Sequence, residues 1–295
     1  MSYITQLHRY PVKSLLGERL TTTQVDSNGF PGDRAWALRH GGSTLTGKKF
    51  PAMMSARATF STTPSAEHRS APITITLPNG ETRDSNDKAL NSWLSAYLDH
   101  PAELWPLVDP SDLEFYRRSA SSATTPEAID AQLREVFARL PDEPLPDLAT
   151  FPAEIFEYDT PPGTYFDAYP ILIMSTLSLA TLAANSQTQK HNFDQRRFRP
   201  NIVLDGFSAA DSDATGGFPE NALVGKQIKF GTTTLDIELA CPRCIMTTHP
   251  VADVPKDPGI MRQLVQQNAG NLGVYARIVT GGVVSEGDTL EVINA

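Results

Sequence analysis

Both cysteines of the chain lie in one short stretch, Leu239-Ala240-Cys241-Pro242-Arg243-Cys244-Ile245-Met246-Thr247-Thr248-His249-Pro250. The thiolate form of cysteine is the nucleophile and metal ligand, and a neighbouring cation such as Arg243 lowers the pKa of a thiol. Two scattered cysteines would more simply be small buried hydrophobic residues. Because these two are the only ones and cluster around an arginine, a chemical role for Cys244 is favoured.

Three kinds of site compete for this cysteine pair. A redox dithiol usually accompanies a thioredoxin-like βαβ pattern, whereas this pair follows an alternating run over residues 228–237 that predicts a β-hairpin. A structural zinc site needs four Cys or His ligands, and only His249 is near. The third interpretation is a single thiolate on a soft or redox-active metal. The pair alone does not select among them.

The length, net charge and apolar stretches of the chain exclude some classes of protein. A chain of 295 residues accommodates one large or two medium domains. Its net charge of −9, from 25 basic and 34 acidic residues, argues against a nucleic-acid partner. No apolar stretch is long enough to cross a membrane, and residues 1–6 lack a secretion pattern. Two cysteines without such a signal predict a reducing cytoplasm and no membrane partner.

The pattern of short strands and turns predicts a mainly β protein with added α-helices, an α+β fold. Alternating residues and Gly or Pro turns over the first 80 residues indicate a small barrel or a sandwich. Helices are predicted after Ser85, from Thr125 to about residue 140, after Ser175, and over 258–267. Further strands are predicted at 171–174, 202–204, 272–279 and 289–293, with short ones around 151–158. Proline-rich residues 141–146 resemble a linker.

Several cations sit on turns, which is where an anion pocket would be built. Lys13, Arg34 and Arg199 each lie between apolar, Pro or Gly residues at a strand end, so they are easily held rigid. Simple solvation of the surface is the competing interpretation, and the spacing leaves both open. For Lys48, Lys49 and Arg196, solvation is favoured.

One carboxylate also stands out. Asp167 lies between Phe166 and Ala168, just before a buried strand, where an unpaired charge is costly. It either caps the turn or acts as a proton donor whose pKa is raised by its apolar neighbours.

Four motifs, taken in order, resemble the MOSC-domain family (molybdenum cofactor sulfurase C-terminal domain). More narrowly, the chain resembles the two-domain branch with an N-terminal β-barrel, of the YcbX and mitochondrial amidoxime-reducing-component type. The motifs are Tyr10-Pro11-Val12-Lys13-Ser14 with Gly17, Gly32-Asp33-Arg34 with Trp36, Phe198-Arg199-Pro200-Asn201, and Cys241-Pro242-Arg243-Cys244 with Thr247-Thr248.

The resemblance implies a fold and a cofactor. It implies an N-terminal MOSC-associated β-barrel domain over 1–120, a helical connector over 121–146 and a MOSC-type β-barrel domain with peripheral helices over 147–295. It implies a molybdenum–pterin cofactor (molybdopterin) whose metal is ligated by Cys244, with Asp167 close by as the second catalytic residue. Pyridoxal phosphate is not expected. The positions that match pterin- and phosphate-binding residues are Lys13, Ser14, Arg34, Arg199, Asn201 and Arg243.

The resemblance also implies a reaction and its partners. The expected reaction is reduction of N-hydroxylated compounds (hydroxylamines, amidoximes or N-hydroxylated bases) to the amine or amidine. No further cysteines are present for an iron–sulfur cluster, so electrons are expected from a separate flavin reductase or iron–sulfur protein. A cytoplasmic monomer is expected. Where family members often have Asp-Pro after the Thr pair, this chain has His249-Pro250-Val251, which changes the rim of the site.

Two other functions use the same features. The alternative from another class is a non-catalytic carrier of the molybdenum cofactor, or of sulfur as a persulfide on Cys244. A weaker alternative is a barrel that binds a small molecule without any metal.

Overall fold

A computed structural model of the protein describes residues 1–119, 123–185 and 191–293, and it confirms the predicted α+β class with an N-terminal barrel domain. The strands of these residues are β1 Tyr3–Arg9, β2 Glu18–Leu20, β3 Thr22–Val25, β4 Trp36–His40, β5 Ser43–Thr44, β6 Arg57–Phe60, β7 Ile73–Thr76, β8 Thr82–Asp84, β9 Glu103–Pro106, β10 Ile171–Ser175, β11 Ile202–Asp205, β12 Gln227–Phe230, β13 Thr233–Pro242, β14 Asn271–Thr280, β15 Gly282–Ser285 and β16 Glu291–Ile293. The α-helices are α1 Leu90–Leu98, α2 Leu113–Tyr116, α3 Pro126–Phe137, α4 Glu154–Glu157, α5 Thr176–Ala184, α6 Ala209–Ala214 and α7 Gly259–Asn268. Short 3₁₀ helices lie at Pro51–Ser55, Leu148–Thr150, Gln195–Arg197, Pro219–Leu223 and Ile245–Thr248.

A curled eight-stranded sheet organises the second half of the chain. Its strand order is β16-β12-β13-β14-β10-β11-β1-β2, with β10 and β11 parallel and the other neighbours antiparallel. Its core cluster includes Ile4, Ile173, Ile202, Ile228 and Val274, each fully buried. β1 and β2 therefore complete a sheet whose other strands come from residues 171–293, and the two halves share one core.

The first half adds two three-stranded sheets, β5-β4-β9 and β6-β7-β8. Helix α1 packs against their core through Leu90 and Leu94, with Trp93 and Tyr97 partly buried beside them. These four residues follow the i, i+3, i+4, i+7 spacing of one helix face, and that face packs on the core.

Two local expectations are wrong. Residues 154–157 form helix α4 and not a strand, and they follow a 3₁₀ turn whose N-terminal residue, Asp147, accepts a hydrogen bond from the Ala149 amide (3.0 Å). Helix α1 does not start directly after Ser85: the Ser85 hydroxyl accepts from the Ile73 amide (3.1 Å), and the helix begins five residues later. In both places the polar side chain accepts a backbone hydrogen bond that apolar periodicity does not reveal.

No helix in the described parts of the chain is long and apolar enough to cross a bilayer. The predicted boundary between residues 120 and 121 lies outside the described residues, and the division into 1–120, 121–146 and 147–295 stays a prediction.

Candidate active-site cleft

All eight side chains predicted from the sequence line one cleft between the two halves of the chain. They are Lys13, Ser14, Arg34, Asp167, Arg199, Asn201, Arg243 and Cys244. The sheet explains part of this meeting, because the end of β1 lies beside the start of β11, and β10 begins next to β11. Arg243 joins the cysteine turn to the loop before β11 by donating to the Phe198 carbonyl (2.9 Å).

The two cysteines have different surroundings. Cys244 is half-buried at the start of the 3₁₀ helix Ile245–Thr248, and its carbonyl accepts from both the amide (3.1 Å) and the hydroxyl (3.0 Å) of Thr247. Cys241 lies on β13 with 1% of its surface exposed, and burial raises the pKa of its thiol. Both thiols are free, and no group of three Cys, His, Asp or Glu side chains able to hold a metal occurs in the described segments. Cys244 is thus the more accessible thiol of the pair.

Arg197 holds the cysteine turn in place, a role that the sequence did not reveal. Its side chain is 1% exposed and donates to the carbonyls of Thr247 (3.2 Å), His249 (2.7 Å) and Pro255 (2.5 Å). A planar guanidinium with several donors suits this bridging of backbone carbonyls. His249 is buried and its ring lies 3.2 Å from the Lys48 carbonyl, so it connects the turn to the first half of the chain.

Three cleft residues have a left-handed backbone that non-glycine residues rarely adopt. The φ angles are +69° at Ser14, +46° at Arg34 and +56° at Arg199. Elsewhere in the described residues, positive φ at a non-glycine occurs where a helix ends or in a tight turn, at Asp99, Ala138, Ala252 and Ala269. Backbone strain of this kind costs roughly 1–3 kcal/mol per residue and concentrates at functional sites. The side chains of Arg34 and Arg199 leave this strained backbone and meet over the ring of Tyr10.

Tyr10 is the platform on which those two guanidinium groups rest. The Arg34 and Arg199 carbons lie 4.7 Å and 4.3 Å from the centre of its ring. Its hydroxyl donates to the Pro200 carbonyl (3.1 Å), and burial raises its pKa to about 12. Tyr10 opens the first motif, yet nothing in the sequence indicated that its ring would contact both arginines.

Arg34 and Asn201 each make several hydrogen bonds to other parts of the protein. Arg34 pairs with the buried Asp33 carboxylate and donates to the Asn201 amide oxygen (3.1 Å) and the Arg199 carbonyl (3.3 Å). The same amide oxygen accepts from the Leu172 amide (3.2 Å). Burial alone would lower the pKa of Arg34, but Asp33 outweighs it and raises that pKa. These two residues therefore order the loops around the cleft.

Arg199 and Arg243, in contrast, keep unused donors. Arg199 donates through Nη1 to the Leu15 carbonyl, and Arg243 donates through Nε to the Leu272 carbonyl (2.8 Å). The Nη2 atom of each is buried and finds no hydrogen-bond partner within the residues that the structure describes. Burial, with Arg34 nearby, lowers the pKa of Arg199 to about 10. An unsatisfied buried donor costs roughly 1–3 kcal/mol, which an anion with several acceptor oxygens would remove.

Lys13 and Asp167 form a pair across the cleft. The Lys13 ammonium donates to Asp167 Oδ1 (2.7 Å) and to the carbonyls of Tyr165 (2.9 Å) and Phe166 (3.3 Å). Desolvation alone would raise the pKa of Asp167, but Lys13, Lys48 and Arg34 outweigh it and hold that pKa well below its usual range. The expectation of a raised pKa is wrong, because the apolar neighbours in sequence matter less than these cations.

Aromatic side chains form another wall of the cleft. The rings of Tyr169 and Tyr275 stack with centres 5.4 Å apart, and Phe151 meets Tyr275 edge-on at 6.5 Å. Tyr169 and Tyr275 line the cleft with both cysteines. Gly273 is needed on the same strand, since its φ is +75° and a Cβ there would lie 2.5 Å from the Ile173 carbonyl oxygen. The cleft thus combines a cationic wall formed by Arg34, Arg199 and Arg243, the free thiol of Cys244, and a flat apolar wall formed by Tyr169 and Tyr275.

Comparison with known proteins agrees with this architecture. Residues 162–291 match the family model of the MOSC domain, and residues 1–101 match that of the MOSC N-terminal beta barrel domain. Two curated relatives are both named mitochondrial amidoxime reducing component 2. The one from Bos taurus is 36% identical and the one from Homo sapiens 33% identical, each over 97 residues, which is 33% of this chain and 24% of the relative. The match thus spans about a quarter of the length of these relatives.

Two solved structures are similar to this chain at low sequence identity. The YUAD protein from Bacillus subtilis is 13% identical, covers 99% of this chain and 96% of its own, and has a TM-score of 0.44. YiiM from Geobacillus stearothermophilus is 16% identical, covers 43% of this chain and 55% of its own, and has a TM-score of 0.30.

Proposed function

Because this chain belongs to the MOSC domain family and carries its N-terminal beta barrel domain as well, we propose that it is a molybdenum-cofactor-dependent reductase of N-hydroxylated compounds. The observation that carries the proposal is the combination, in one cleft, of the accessible Cys244 thiol with two buried arginines that keep unused donors. The two relatives named amidoxime reducing component support the choice of substrate class.

The residues of the cleft fit an anionic cofactor that contains a soft metal. Arg199 and Arg243 each offer a free Nη2 donor, and a phosphate accepts such donors in charge-assisted hydrogen bonds. Lys13 and Arg34 add positive charge behind them, and the Ser14 hydroxyl accepts from the Gly47 amide (2.9 Å), which fixes its turn. Cys244 would supply the thiolate ligand for the metal, since thiolates suit soft, redox-active metals. When bound, this cofactor supplies a metal centre able to deliver two electrons to an N–O bond.

The chain itself positions the substrate and controls protons. Conversion of an N-hydroxy group to N–H consumes two electrons and two protons and releases one water. Tyr169 and Tyr275 offer a flat apolar surface on which a conjugated amidoxime or base would stack. The Asp167 side chain is 70% exposed and ionised, so it accepts hydrogen bonds from the substrate or from water and does not arrive carrying its own proton. Electrons come from a separate protein.

Turnover with an artificial donor separates the enzyme from the carrier. Protein purified from a host that makes the cofactor should reduce benzamidoxime to benzamidine with reduced viologen. Cys244→Ala should abolish this reaction, while the matched variant Cys241→Ala keeps at least part of it because Cys241 is buried on β13. A cyanide-labile sulfur on Cys244 without any turnover would instead favour a persulfide carrier and contradict the proposal.

A further inference from the structure

Negative charge is concentrated in one segment of the chain, residues 125–159, which we call the acidic connector. It contains nine acidic and two basic side chains, a net charge of −7 out of −9 for the whole protein. The remaining residues are thus close to neutral. The segment includes α3 and α4. An exposed field of one sign extends about 8–10 Å at physiological ionic strength and steers charged partners.

The surface of the acidic connector is also apolar in places. Helix α3 is amphipathic in sequence, yet none of its side chains is fully buried. Ile129, Leu140 and Phe156 expose 45%, 48% and 52% of their surface. Six carboxylates of the segment form no ion pair within the described residues, those of Glu127, Glu135, Asp142, Asp147, Glu154 and Asp159, and all but Asp159 are exposed. Apolar side chains within a polar, charged rim are the usual composition of a protein interface.

The acidic connector borders the cleft at two places. Helix α3 contacts the 3₁₀ helix Ile245–Thr248, which directly follows Cys244. Further along, the Phe151 ring packs against Tyr275 of the cleft wall. Arg139 anchors the segment by donating to the Ala269 carbonyl (3.4 Å), and Arg262 pairs with Glu143. One of the two arginines of the segment thus points inward, while the unpaired carboxylates remain outside.

We propose that the acidic connector is the docking surface for the electron donor, and that the donor is a protein with a basic face. This inference rests on the proposed function, which requires electrons to reach the cleft from another protein. Each turnover would take two electrons from the reduced donor, which leaves oxidised. A lysine- or arginine-rich face around an apolar centre would match the carboxylates around Ile129, Leu140 and Phe156. The buried arginines of the cleft offer no comparable exposed field.

Binding of a basic redox protein tests the surface without requiring turnover. The probe is cytochrome c, titrated at low ionic strength against the full chain and two variants with equal net charge. The first variant neutralises the connector with Glu127→Gln, Glu135→Gln, Asp142→Asn and Asp147→Asn. The control neutralises four exposed carboxylates elsewhere with Glu67→Gln, Asp99→Asn, Asp213→Asn and Glu291→Gln. Circular dichroism verifies that both variants fold.

The inference predicts that affinity falls about tenfold in the connector variant and by less than about twofold in the control. Carbodiimide cross-linking should join probe lysines to Glu127, Glu135 or Asp142. Equal weakening in both variants, or cross-links outside residues 125–159, would overturn it. Molybdenum content distinguishes failure of this inference from failure of the proposed function. If the probe docks at the acidic connector of a protein that never retains molybdenum, the reductase proposal is refuted and the docking surface is not.

Discussion

The cationic wall of the cleft and the acidic connector use charge in opposite ways. In the cleft, Arg34, Arg199 and Arg243 are nearly buried, stacked or hydrogen-bonded, and held partly by strained backbone. In the connector, the carboxylates are mostly exposed. Electrostatic interactions are strong and geometry-dependent where water is excluded, and weak but long-ranged where it is not. Substitutions in the cleft should therefore have large effects on stability or ligand binding that are confined to the site. Substitutions in the acidic connector should have small effects that depend on salt concentration.

The largest effect is expected where a buried cleft charge loses its partner. Asp33 is 2% exposed, pairs with Arg34 and accepts from the Tyr10 amide (2.8 Å). Asp33→Asn should lower the free energy of unfolding by about 3–5 kcal/mol, because it leaves a buried cation uncompensated. Urea unfolding measures this loss. Asp87→Asn, in the half-exposed pair with Arg83, is the control and should cost less than about 1 kcal/mol. Equal losses of stability in the two variants would contradict the claim that buried charge matters more than exposed charge.

Arg199→Met should separate ligand binding from stability. Inorganic phosphate should raise the melting temperature of the cofactor-free wild type, since it binds the folded state alone. The variant should bind phosphate at least about tenfold more weakly, because a charge-assisted donor is lost. Its own stability should change by less than about 2 kcal/mol, because removal of the unsatisfied Nη2 donor offsets loss of the Tyr10 contact and of the hydrogen bond to the Leu15 carbonyl. The control Arg19→Met, at an exposed pair with Glu286, should change neither phosphate affinity nor stability. An unchanged phosphate response in Arg199→Met would contradict the assignment of Arg199 as an anion-binding residue.

Substitutions of Tyr10 test the platform under the two arginines. Tyr10→Leu should cost about 2 kcal/mol, because two cation–π contacts disappear. Tyr10→Phe keeps the ring and loses the hydrogen bond to the Pro200 carbonyl, so it should cost about 1 kcal/mol. Chemical denaturation gives both values. If Phe were as harmful as Leu, the hydroxyl and not the ring would support the cleft.

The ionisation of Asp167 predicts a pH profile. Since the surrounding cations depress its pKa in the folded state, its stabilising contribution is complete above its unfolded pKa of about 4 and is lost only as the pH falls through the lower, folded value. We therefore expect no step from this group in a plot of turnover against pH between 5 and 9. Asp167→Asn should change the height of that curve and leave its shape. A step near neutral pH that vanishes in the variant would show that Asp167 carries a proton after all.

The smallest effect on stability is expected in the connector. The four substitutions Glu127→Gln, Glu135→Gln, Asp142→Asn and Asp147→Asn should together change the free energy of unfolding by less than about 1 kcal/mol, because exposed charges contribute little. Thermal unfolding at two salt concentrations checks this. A large loss would mean that the connector is part of the structural core.

Sequence patterns predicted the composition of the cleft better than its internal contacts. Each predicted residue sits on a turn or strand end, so short motifs were enough to list them. The roles of Tyr10, Arg197 and Tyr275 depend on contacts between segments far apart in the chain. The depressed pKa of Asp167 likewise depends on Lys13, 154 positions away. Local spacing carries no information about such pairs.

The central claim is that Cys244, and not its neighbour Cys241, holds a molybdenum-containing cofactor in this cleft. The most direct measurement is the molybdenum and pterin content of wild type, Cys244→Ala and Cys241→Ala, purified side by side from a host that makes the cofactor. We predict near-stoichiometric metal in wild type and in Cys241→Ala, and its loss in Cys244→Ala with the fold intact. Equal metal in all three proteins, or none in any, would contradict the claim.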